Sequence, residues 1–347
     1  MKRVRRGLLI LTTLTGVAAG GLGLGALDRA TMAAPAQPEI KIVRHDLRFD
    51  QIVPRDAVVE KVAEGYTWVE GPVWNRKGRF LLFSEIPSNS VYKWEEGKGV
   101  SLFLRPSGYT GRTPFPGPEP GSNGLAFDAR GRLVLCEHGD RRIARLEANG
   151  RKTTLVDRNE GKRINSPNDL VYKSNGDLYF TDPPFGLPMG MDDPGKELPF
   201  QGVYRLSKDG KLAVLTKEVK FPNGIGFSPD EKTLYISNAD RTNAVWLAFE
   251  VKSDGTLGRS RVFFDGTAWT RTGKGVPDGL KVDRSGNVFA AGPGGLHVFA
   301  LDGTHLGSIQ TSVATSNSAW GEDGSVLYLT ISSGIYRIKL NTKGAGW

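Results

Sequence analysis

Short runs that alternate apolar and polar residues, separated by turns rich in Gly, Asn and Asp, occupy most of this 347-residue chain. One phrase recurs: a polar residue leads a short apolar strand, a tight turn follows, and a second apolar strand ends in another polar residue. The clearest copy covers 166–182, with Asn168 leading the first strand and Asp182 ending the second. The leading residues of the six copies are Glu70, Asn123, Asn168, Asn223, Asp278 and Ser316.

The spacing of these copies predicts the fold. Steps of 53, 45, 55, 55 and 38 residues separate the leading residues, and such periods with strands inside each unit are typical of a propeller or another repeat array. Each copy also contains further strand candidates, so four strands in each of six units predict an all-β, six-bladed β-propeller. The last copy has only three candidates, and we expect 58–64 to supply the fourth strand and close the ring without an open edge.

The first 36 residues have a different character. Four basic residues among the first six precede an uncharged run over 7–27, and Ala-rich sites follow at 31–36. This pattern predicts an export signal that is removed, and therefore an exported, periplasmic or secreted protein; an uncleaved membrane anchor is the alternative. The paired Arg5 and Arg6 also allow a twin-arginine route. We assign 1–36 to the signal, 37–57 to an N-terminal extension on the outside, and 58–347 to a single catalytic propeller domain.

Charge and cysteine content narrow the possible partners. Removal of 1–36 lowers the net charge from +9 to +5, because that segment contains five basic residues and one acidic residue. The remainder has no Lys/Arg tract that could follow phosphates, so nucleic acid is not an expected partner. Cys136 is the single cysteine, which excludes an internal disulfide. We expect no stable membrane insertion after signal removal and no obligate protein partner, since a closed ring pairs its own strand edges.

The leading residues predict a metal site. The innermost strands of a propeller surround its central channel, so equivalent positions of every copy meet at one mouth. There, two carboxylates and three amides would form a ring of hard oxygen donors that suits Ca²⁺ or another hard divalent ion. The alternative is that Asn-Gly, Asn-Asp and Asp-Gly serve only as turn residues. These residues repeat in one register, and a proline immediately precedes Asn168, Asn223 and Asp278. The repetition favours the metal site.

Such a site could activate an ester or lactone carbonyl toward water, and a base must then take the proton of that water. Asp278 is one candidate base, because one of its oxygens could bind the metal while the other accepts the proton. His138 is the other candidate, since it follows the second strand of its copy; a hydrogen-bonded residue at the blade end is the alternative for it.

Four further residues are candidate substrate contacts. Asn123 leads its copy at the channel mouth, and Asp182 and Glu85 end the second strands of their copies, where they could also orient the ligands. The alternative for Asp182 and Glu85 is a solvated turn carboxylate or a hydrogen bond at the strand end. Tyr109 lies in the first of two long insertions, 105–122 and 183–201, that could form a lid.

Several phrases of the chain together resemble a known family. These phrases are Glu70-Gly71-Pro72-Val73-Trp74, Ser166-Pro167-Asn168-Asp169, Phe180-Thr181-Asp182-Pro183, Phe221-Pro222-Asn223-Gly224 and Pro277-Asp278-Gly279. They resemble the senescence-marker-protein/gluconolactonase family, which includes regucalcin and is related to diisopropylfluorophosphatase. The resemblance covers about 58–340, and the stretches 107–111 and 119–124 are most similar to the exported bacterial gluconolactonase branch.

The resemblance implies a six-bladed propeller that holds one divalent metal and hydrolyses lactones. The implied ligands are Glu70, Asn168, Asn223 and Asp278, and the expected ion is Ca²⁺, with Mg²⁺, Mn²⁺ and Zn²⁺ as alternatives. We therefore expect a gluconolactonase-like hydrolase that opens a sugar lactone, such as glucono-1,5-lactone to gluconate. A metal-dependent arylesterase or phosphotriesterase and a non-catalytic calcium-binding propeller are the alternatives.

Two positions depart from the family pattern. Ser166 stands where regucalcin-like members have a sugar-binding Arg, so recognition of a sugar lactone must use other groups. Lys281 stands where diisopropylfluorophosphatase relatives have an Asp that binds a second calcium, which argues against a second calcium at that place.

Overall fold

Six antiparallel sheets, the blades, follow one another along residues 37–347, which are the part of the chain that the computed structural model describes. The strands in chain order are β1 (Ile40–Arg44), β2 (Val59–Glu64), β3 (Val69–Asn75), β4 (Phe80–Glu85), β5 (Ser90–Glu95), β6 (Gly99–Leu104), β7 (Ser122–Phe127), β8 (Leu133–Glu137), β9 (Arg142–Leu146), β10 (Lys152–Val156), β11 (Arg158–Asn159), β12 (Lys162–Arg163), β13 (Leu170–Tyr172), β14 (Leu178–Asp182), β15 (Gly202–Leu206), β16 (Leu212–Thr216), β17 (Pro222–Phe227), β18 (Thr233–Asn238), β19 (Val245–Val251), β20 (Leu257–Asp265), β21 (Leu280–Val282), β22 (Val288–Gly292), β23 (Gly295–Phe299), β24 (His305–Thr311), β25 (Thr315–Gly321), β26 (Val326–Ile331) and β27 (Gly334–Lys339). A short helix α1 (Phe49–Ile52) and two 3-10 turns (Gly190–Asp192 and Thr267–Arg271) complete the elements.

The blades pair their strands in chain order. Blades 1 to 5 are β3–β6, β7–β10, β13–β16, β17–β20 and β21–β24, while β11 and β12 form a separate hairpin. Blade 6 contains β25–β27 and takes β2 as its fourth strand, with Val59 opposite Ile338 and Glu64 opposite Gly334. The prediction of a six-bladed β-propeller closed by a strand from the N-terminal side is therefore confirmed.

The hydrophobic core lies between neighbouring blades. The second strands are buried on both faces, as β8 and β14 show, which explains why their sequences are continuously apolar rather than alternating. Within blade 3, the rings of the cross-strand pair Phe180 and Tyr204 stack with centroids 5.0 Å apart, and both belong to the same buried cluster as Cys136 of blade 2. Close packing in such clusters fixes neighbouring blades against each other.

The N-terminal extension is built into two blades. Strand β1 adds to the outer edge of blade 5, where Ile42 lies opposite Ile309. Helix α1 turns inward, and Phe49 is fully buried in the core shared by blades 5 and 6. A Cβ on Gly307 would lie 2.9 Å from the Phe49 ring, so this contact requires glycine. The strand of the extension lies on the outside as expected, whereas its helix does not, because Phe49 and Ile52 present one apolar face.

Two expectations concern the segment before the propeller. The predicted export signal over 1–36 lies outside the described residues. Within 37–347, no helix has the length and apolar character needed to cross a membrane.

Hydroxyl groups connect the second strand of a blade to the leading residue of the next blade. In each case a Ser or Thr side chain donates a hydrogen bond to the backbone carbonyl of that leading residue. The bonds are Ser84 Oγ to Asn123 O (2.8 Å), Thr181 Oγ1 to Asn223 O (2.7 Å) and Ser237 Oγ to Asp278 O (2.6 Å). The positions of the leading residues are therefore fixed by contacts between blades.

Candidate active site

The leading residues lie at or near the starts of the innermost strands β3, β7, β13, β17, β21 and β25. Glu70, Asn123, Asn168 and Asn223 are each at most 5% exposed. Asp278 is partly exposed to solvent, although its carboxyl group is surrounded by protein on its other sides. Glycines allow the close approach of neighbouring blades here: a Cβ on Gly224 would lie only 2.2 Å from the carbonyl oxygen of Asp278. The strands therefore converge where the predicted ligands begin.

Ser316 does not join the ring of oxygen donors. Its hydroxyl donates to the carbonyl oxygen of Val69 at 2.9 Å and lies 2.8 Å from the Thr330 hydroxyl. Its side chain therefore links blade 6 to blade 1, as the hydroxyls described above do between other blades.

The next residue of that strand, Asn317, reaches the centre instead. Its amide nitrogen lies 3.3 Å from Glu70 Oε2 and 3.5 Å from Asp169 Oδ2, and its oxygen accepts a hydrogen bond from Lys281 Nζ at 3.1 Å. The Lys281 ammonium is also 3.9 Å from Asp169 Oδ2. Sequence reasoning missed Asn317 and Asp169 as site residues.

A signal for these two residues was present in the repeat. In four copies the residue after the leading one is glycine, namely Gly71, Gly124, Gly224 and Gly279. Asp169 and Asn317 replace that glycine in the other two copies. A polar side chain at a position that is glycine in the other four copies marks these two residues as exceptions to the repeat.

The carboxyl groups crowd one another. Burial, with smaller contributions from the charges of Asp169 and Glu119, raises the pKa of Glu70 to about 8. Burial, followed by the charges of Glu70 and Asp169, also raises the pKa of Asp278 well above its usual value. Three carboxyl groups thus share a region in which Lys281 is the neighbouring cation.

The donor set fits a hard divalent cation. The side-chain oxygens of Asn123 and Asn223 are buried and have no hydrogen-bond partner in the described part of the chain. Unpaired buried amide oxygens beside crowded carboxylates are the ligands that Ca²⁺ and similar ions prefer. Among residues 37–347, no group of three or more His, Cys, Asp and Glu side chains is arranged to hold a metal ion, so the predicted site depends on its amide oxygens.

Glu85 and Asp182 brace the segments that lead into the ring. Glu85 accepts the backbone N–H of Thr67 at 3.1 Å, and Asp182 accepts that of Asn165 at 2.8 Å, in each case three residues before a leading residue. Burial raises the pKa of Asp182 to about 7. These contacts match the orienting role that the sequence allowed for both residues, and direct substrate contact by either stays a prediction.

His138 is fully buried behind the mouth. Its Nδ1 lies 2.9 Å from Glu119 Oε2, although the two groups are not aligned as a regular hydrogen bond. Glu119 belongs to the first insertion, and sequence reasoning did not select it. Its position in a long loop gave no repeat register from which a role could be inferred.

Tyr109, in the same insertion, is half-buried. Its ring packs on Phe115 with centroids 5.0 Å apart, and its hydroxyl is 3.3 Å from the Thr113 hydroxyl. Its backbone carbonyl accepts a hydrogen bond from Asn89 at 2.8 Å. The ring therefore stiffens the insertion, and its contact with substrate stays a prediction.

A cavity of about 1150 Å³ lies at the opposite mouth, where β7, β13, β17 and β21 end. Its wall contains the ion pairs of Arg132 with Asp128 at 2.7 Å and of Lys173 with Glu231 at 2.6 Å, and Lys281 also lines it. We place the candidate active site at the ring instead, because the unpaired oxygens and crowded carboxylates are found there.

Comparison with known proteins agrees with this geometry. The model of the SMP-30/Gluconolactonase/LRE-like region matches residues 68–333. A gluconolactonase of Zymomonas mobilis is 39% identical over 318 residues, which are 88% of this chain and 87% of that protein. A pentonolactonase of Haloferax volcanii is 26% identical over 76% of this chain and 81% of its own length.

Among solved structures, a gluconolactonase from Xanthomonas campestris superposes with a TM-score of 0.75 at 34% identity, covering 88% of this chain and 97% of that one. The matched region contains every predicted ligand, from Glu70 to Asp278. The chain belongs to the SMP-30/gluconolactonase/LRE-like family.

Proposed function

We propose that the protein is a metal-dependent lactonase that opens a sugar lactone such as glucono-1,5-lactone to its hydroxy acid. The proposal is supported by the burial of Glu70, Asn168 and Asn223 near the starts of their strands and by the proximity of the Asp278 carboxyl to Glu70 and Asn223. The relatives that share most of the chain are named as lactonases, which supports the reaction class.

These four residues would hold one divalent cation, with Ca²⁺ as the expected ion and Mg²⁺, Mn²⁺ or Zn²⁺ as alternatives. When bound, such a cation would polarise the lactone carbonyl and stabilise the negative charge that develops on its oxygen. Asn317 supports the ring from the channel side, since its amide lies 3.3 Å from Glu70 Oε2.

Asp278 is the proposed base. It is partly exposed at the mouth, whereas Glu70 is 3% exposed and accepts the Gly71 N–H at 2.9 Å. In the reaction the oxygen of a water bonds to the carbonyl carbon, and Asp278 takes one proton of that water. The bond between the carbonyl carbon and the ring oxygen then breaks, and the proton passes to the leaving oxygen, which becomes a hydroxyl group. His138 is fully buried and fits an orienting role better than direct proton transfer.

We also propose that 1–36 directs export and is removed. The basic start, the uncharged run and the Ala-rich sites support this proposal. Fractionation of cells that produce the full chain, with mass determination of the recovered protein, tests it. A protein that stays in the cytoplasm at full length would contradict it.

The proposed activity is tested with purified protein that has been stripped by chelator and then supplied with Ca²⁺, Mg²⁺, Mn²⁺ or Zn²⁺. Hydrolysis of glucono-1,5-lactone is followed by proton release above the spontaneous rate. We expect activity to disappear on stripping and to return with at least one ion. Asp278→Asn should lower kcat by at least about 100-fold while circular dichroism shows an unchanged fold.

Two results would contradict the proposal. Full activity after exhaustive stripping would exclude the metal requirement. Metal binding without lactone hydrolysis under any condition would keep the site but assign it to another ester, a phosphotriester or a binding role, which the same preparations can be assayed for.

A further inference from the structure

The first insertion is bound firmly to the blades on either side of it. The side-chain oxygen of Asn89 accepts backbone N–H groups from Ser107, Gly108 and Tyr109 at 3.0, 2.7 and 3.2 Å. On the other side, Thr110 donates its backbone N–H and its hydroxyl to the two oxygens of Asp140, at 3.0 and 2.7 Å. The insertion therefore has one well-defined path from blade 1 to blade 2.

The second insertion meets the first one and also covers His138. A Cβ on Gly117 would lie 3.0 Å from the Pro188 Cα atom, so the two insertions touch there. A Cβ on Gly186 would lie 2.4 Å from the Cβ and Cγ atoms of His138. The imidazole is thus enclosed by the second insertion, and only its Glu119 side faces the first one.

Glu119 is more exposed than its neighbour His138. Its side chain is 30% exposed, while that of His138 is fully buried, and the Nδ1 to Oε2 distance is 2.9 Å. The buried imidazole lies beside one carboxylate oxygen, and the other oxygen can accept hydrogen bonds from a ligand. The Glu119 charge also contributes to the raised pKa of Glu70, so its carboxylate lies within electrostatic reach of the ring.

Ser166 stands where regucalcin-like members of the family have a sugar-binding Arg, and it has no free polar group for a substrate. The Ser166 hydroxyl is fully buried, donates to the carbonyl oxygen of Pro183 at 2.7 Å and accepts the Gly186 N–H at 2.9 Å. Both hydrogen bonds serve to hold the second insertion. Recognition of a hydroxylated substrate must therefore come from another polar group at the mouth.

We propose that Glu119 recognises the hydroxyl groups of the sugar lactone and that His138 is its positioning residue. This inference rests on the proposed lactonase function and specifies its substrate class as polyhydroxylated lactones. A carboxylate accepts hydrogen bonds from hydroxyl groups more strongly than a neutral acceptor does. An insertion is a suitable place for a residue that determines specificity. The ring acts on the carbonyl group that all lactones share, whereas the insertion contacts the substituents in which lactones differ.

The test compares two substrates. Glucono-1,5-lactone carries hydroxyl groups, whereas δ-valerolactone has the same ring size without them. Glu119→Ala should lower kcat/KM for glucono-1,5-lactone by about 10- to 100-fold, the loss of one or two hydrogen bonds to a charged group. The loss for δ-valerolactone should be at least ten times smaller. Metal affinity, measured by calorimetry, should stay within about twofold of the wild type, because Glu119 is not a predicted ligand.

Two further variants complete the design. Glu218→Ala removes an exposed carboxylate on a distant turn and should leave both substrates unaffected. His138→Asn should reproduce the substrate-selective loss to a smaller extent, mainly as a rise in KM, with its melting temperature checked because the residue is buried.

Equal losses on the two lactones would show that Glu119 serves the chemistry or the fold in general. No loss on glucono-1,5-lactone would show that Glu119 does not contact the substrate. Either result overturns the inference. If the wild type hydrolyses neither lactone, the proposed function fails separately. In that case, binding of the unreactive glucono-1,5-lactam decides the inference: equal affinity of the wild type and Glu119→Ala would contradict it.

Discussion

Gly224 is the position at which the smallest change should most disturb the site. It follows the predicted ligand Asn223 on β17, and a Cβ there would lie 2.2 Å from the Asp278 carbonyl oxygen and 2.7 Å from the Gly279 Cα atom. These atoms belong to the backbone of the next blade, so no rotation of a side chain can relieve the contact. Gly224→Ala must therefore separate blades 4 and 5 at the level of the ring.

The size of the effect follows from these distances. A carbon and an oxygen atom in contact need a separation of a little over 3 Å, so the blades must separate by about 1 Å. A displacement of about 1 Å between catalytic groups typically costs about 100-fold in rate. Overpacking of this kind costs about 1–3 kcal/mol of stability, or a decrease in melting temperature of about 2–10 °C for a chain of this length.

Gly226→Ala is the matched control. It lies two residues further along the same strand, and its Cβ would lie 2.7 Å from the end of the Leu280 side chain, a flexible group rather than backbone. We expect Gly224→Ala to lose about 100-fold in kcat/KM on glucono-1,5-lactone and to bind the activating ion more weakly, while Gly226→Ala loses less than about tenfold. Wild-type activity and metal affinity in Gly224→Ala, or equal losses in both variants, would refute this account of the ring.

Two predictions concern stability rather than turnover. Lys281→Met removes the ammonium that donates to the Asn317 side-chain oxygen at 3.1 Å and lies 3.9 Å from Asp169 Oδ2, while the Ser318 N–H still donates to the same oxygen at 2.9 Å. The variant should therefore lower the free energy of unfolding of chelator-stripped protein by about 1 kcal/mol in a urea titration; an unchanged unfolding midpoint would contradict this. Burial lowers the pKa of His297 to about 3 and that of His305 to about 4, from 6.5. These two histidines thus bind fewer protons in the folded protein than in the unfolded chain below pH 6.5, so their contribution to stability should be complete above that pH and should decline as the pH falls toward 4. The raised pKa values of Glu70 and Asp182 act in the opposite direction, so the histidine contribution is measured as the difference between the wild type and His305→Gln. His305→Gln should make the decline shallower, and an identical pH dependence in that variant would exclude these histidines as its cause.

The repeat made most of the fold and the candidate ring predictable. A polar residue at the start of each innermost strand has the same register in every blade, so the repeat alone predicts that the six leading residues face one mouth. The narrower set of Glu70, Asn168, Asn223 and Asp278 is implied by the resemblance to the family. The closing strand β2 was equally predictable, because the last copy lacked one strand and the segment before the first copy had the pattern of one.

Other features were not predictable because they depend on contacts outside the repeat. Glu119 acquires its position from an insertion whose path is fixed by Asn89 and Asp140, which are far from it in the sequence. The burial of Phe49 depends on a space between blades 5 and 6 that no local pattern encodes. Asn317 was missed for a different reason: the expectation that Ser316 leads its strand into the ring drew attention away from its neighbour.

The closing strand also has a consequence for the order of events during synthesis. Strand β2 is made first among the strands of blade 6, yet its partner β27 is made last, and the pairing joins Val59 to Ile338 across nearly the whole described chain. Until β27 leaves the ribosome, β2 carries an unpaired edge, and such edges are the points at which incomplete chains associate with one another. The pairing of β2 with β27 is therefore the slowest contact to form. This pairing completes blade 6 and closes the five finished blades into an enclosed channel.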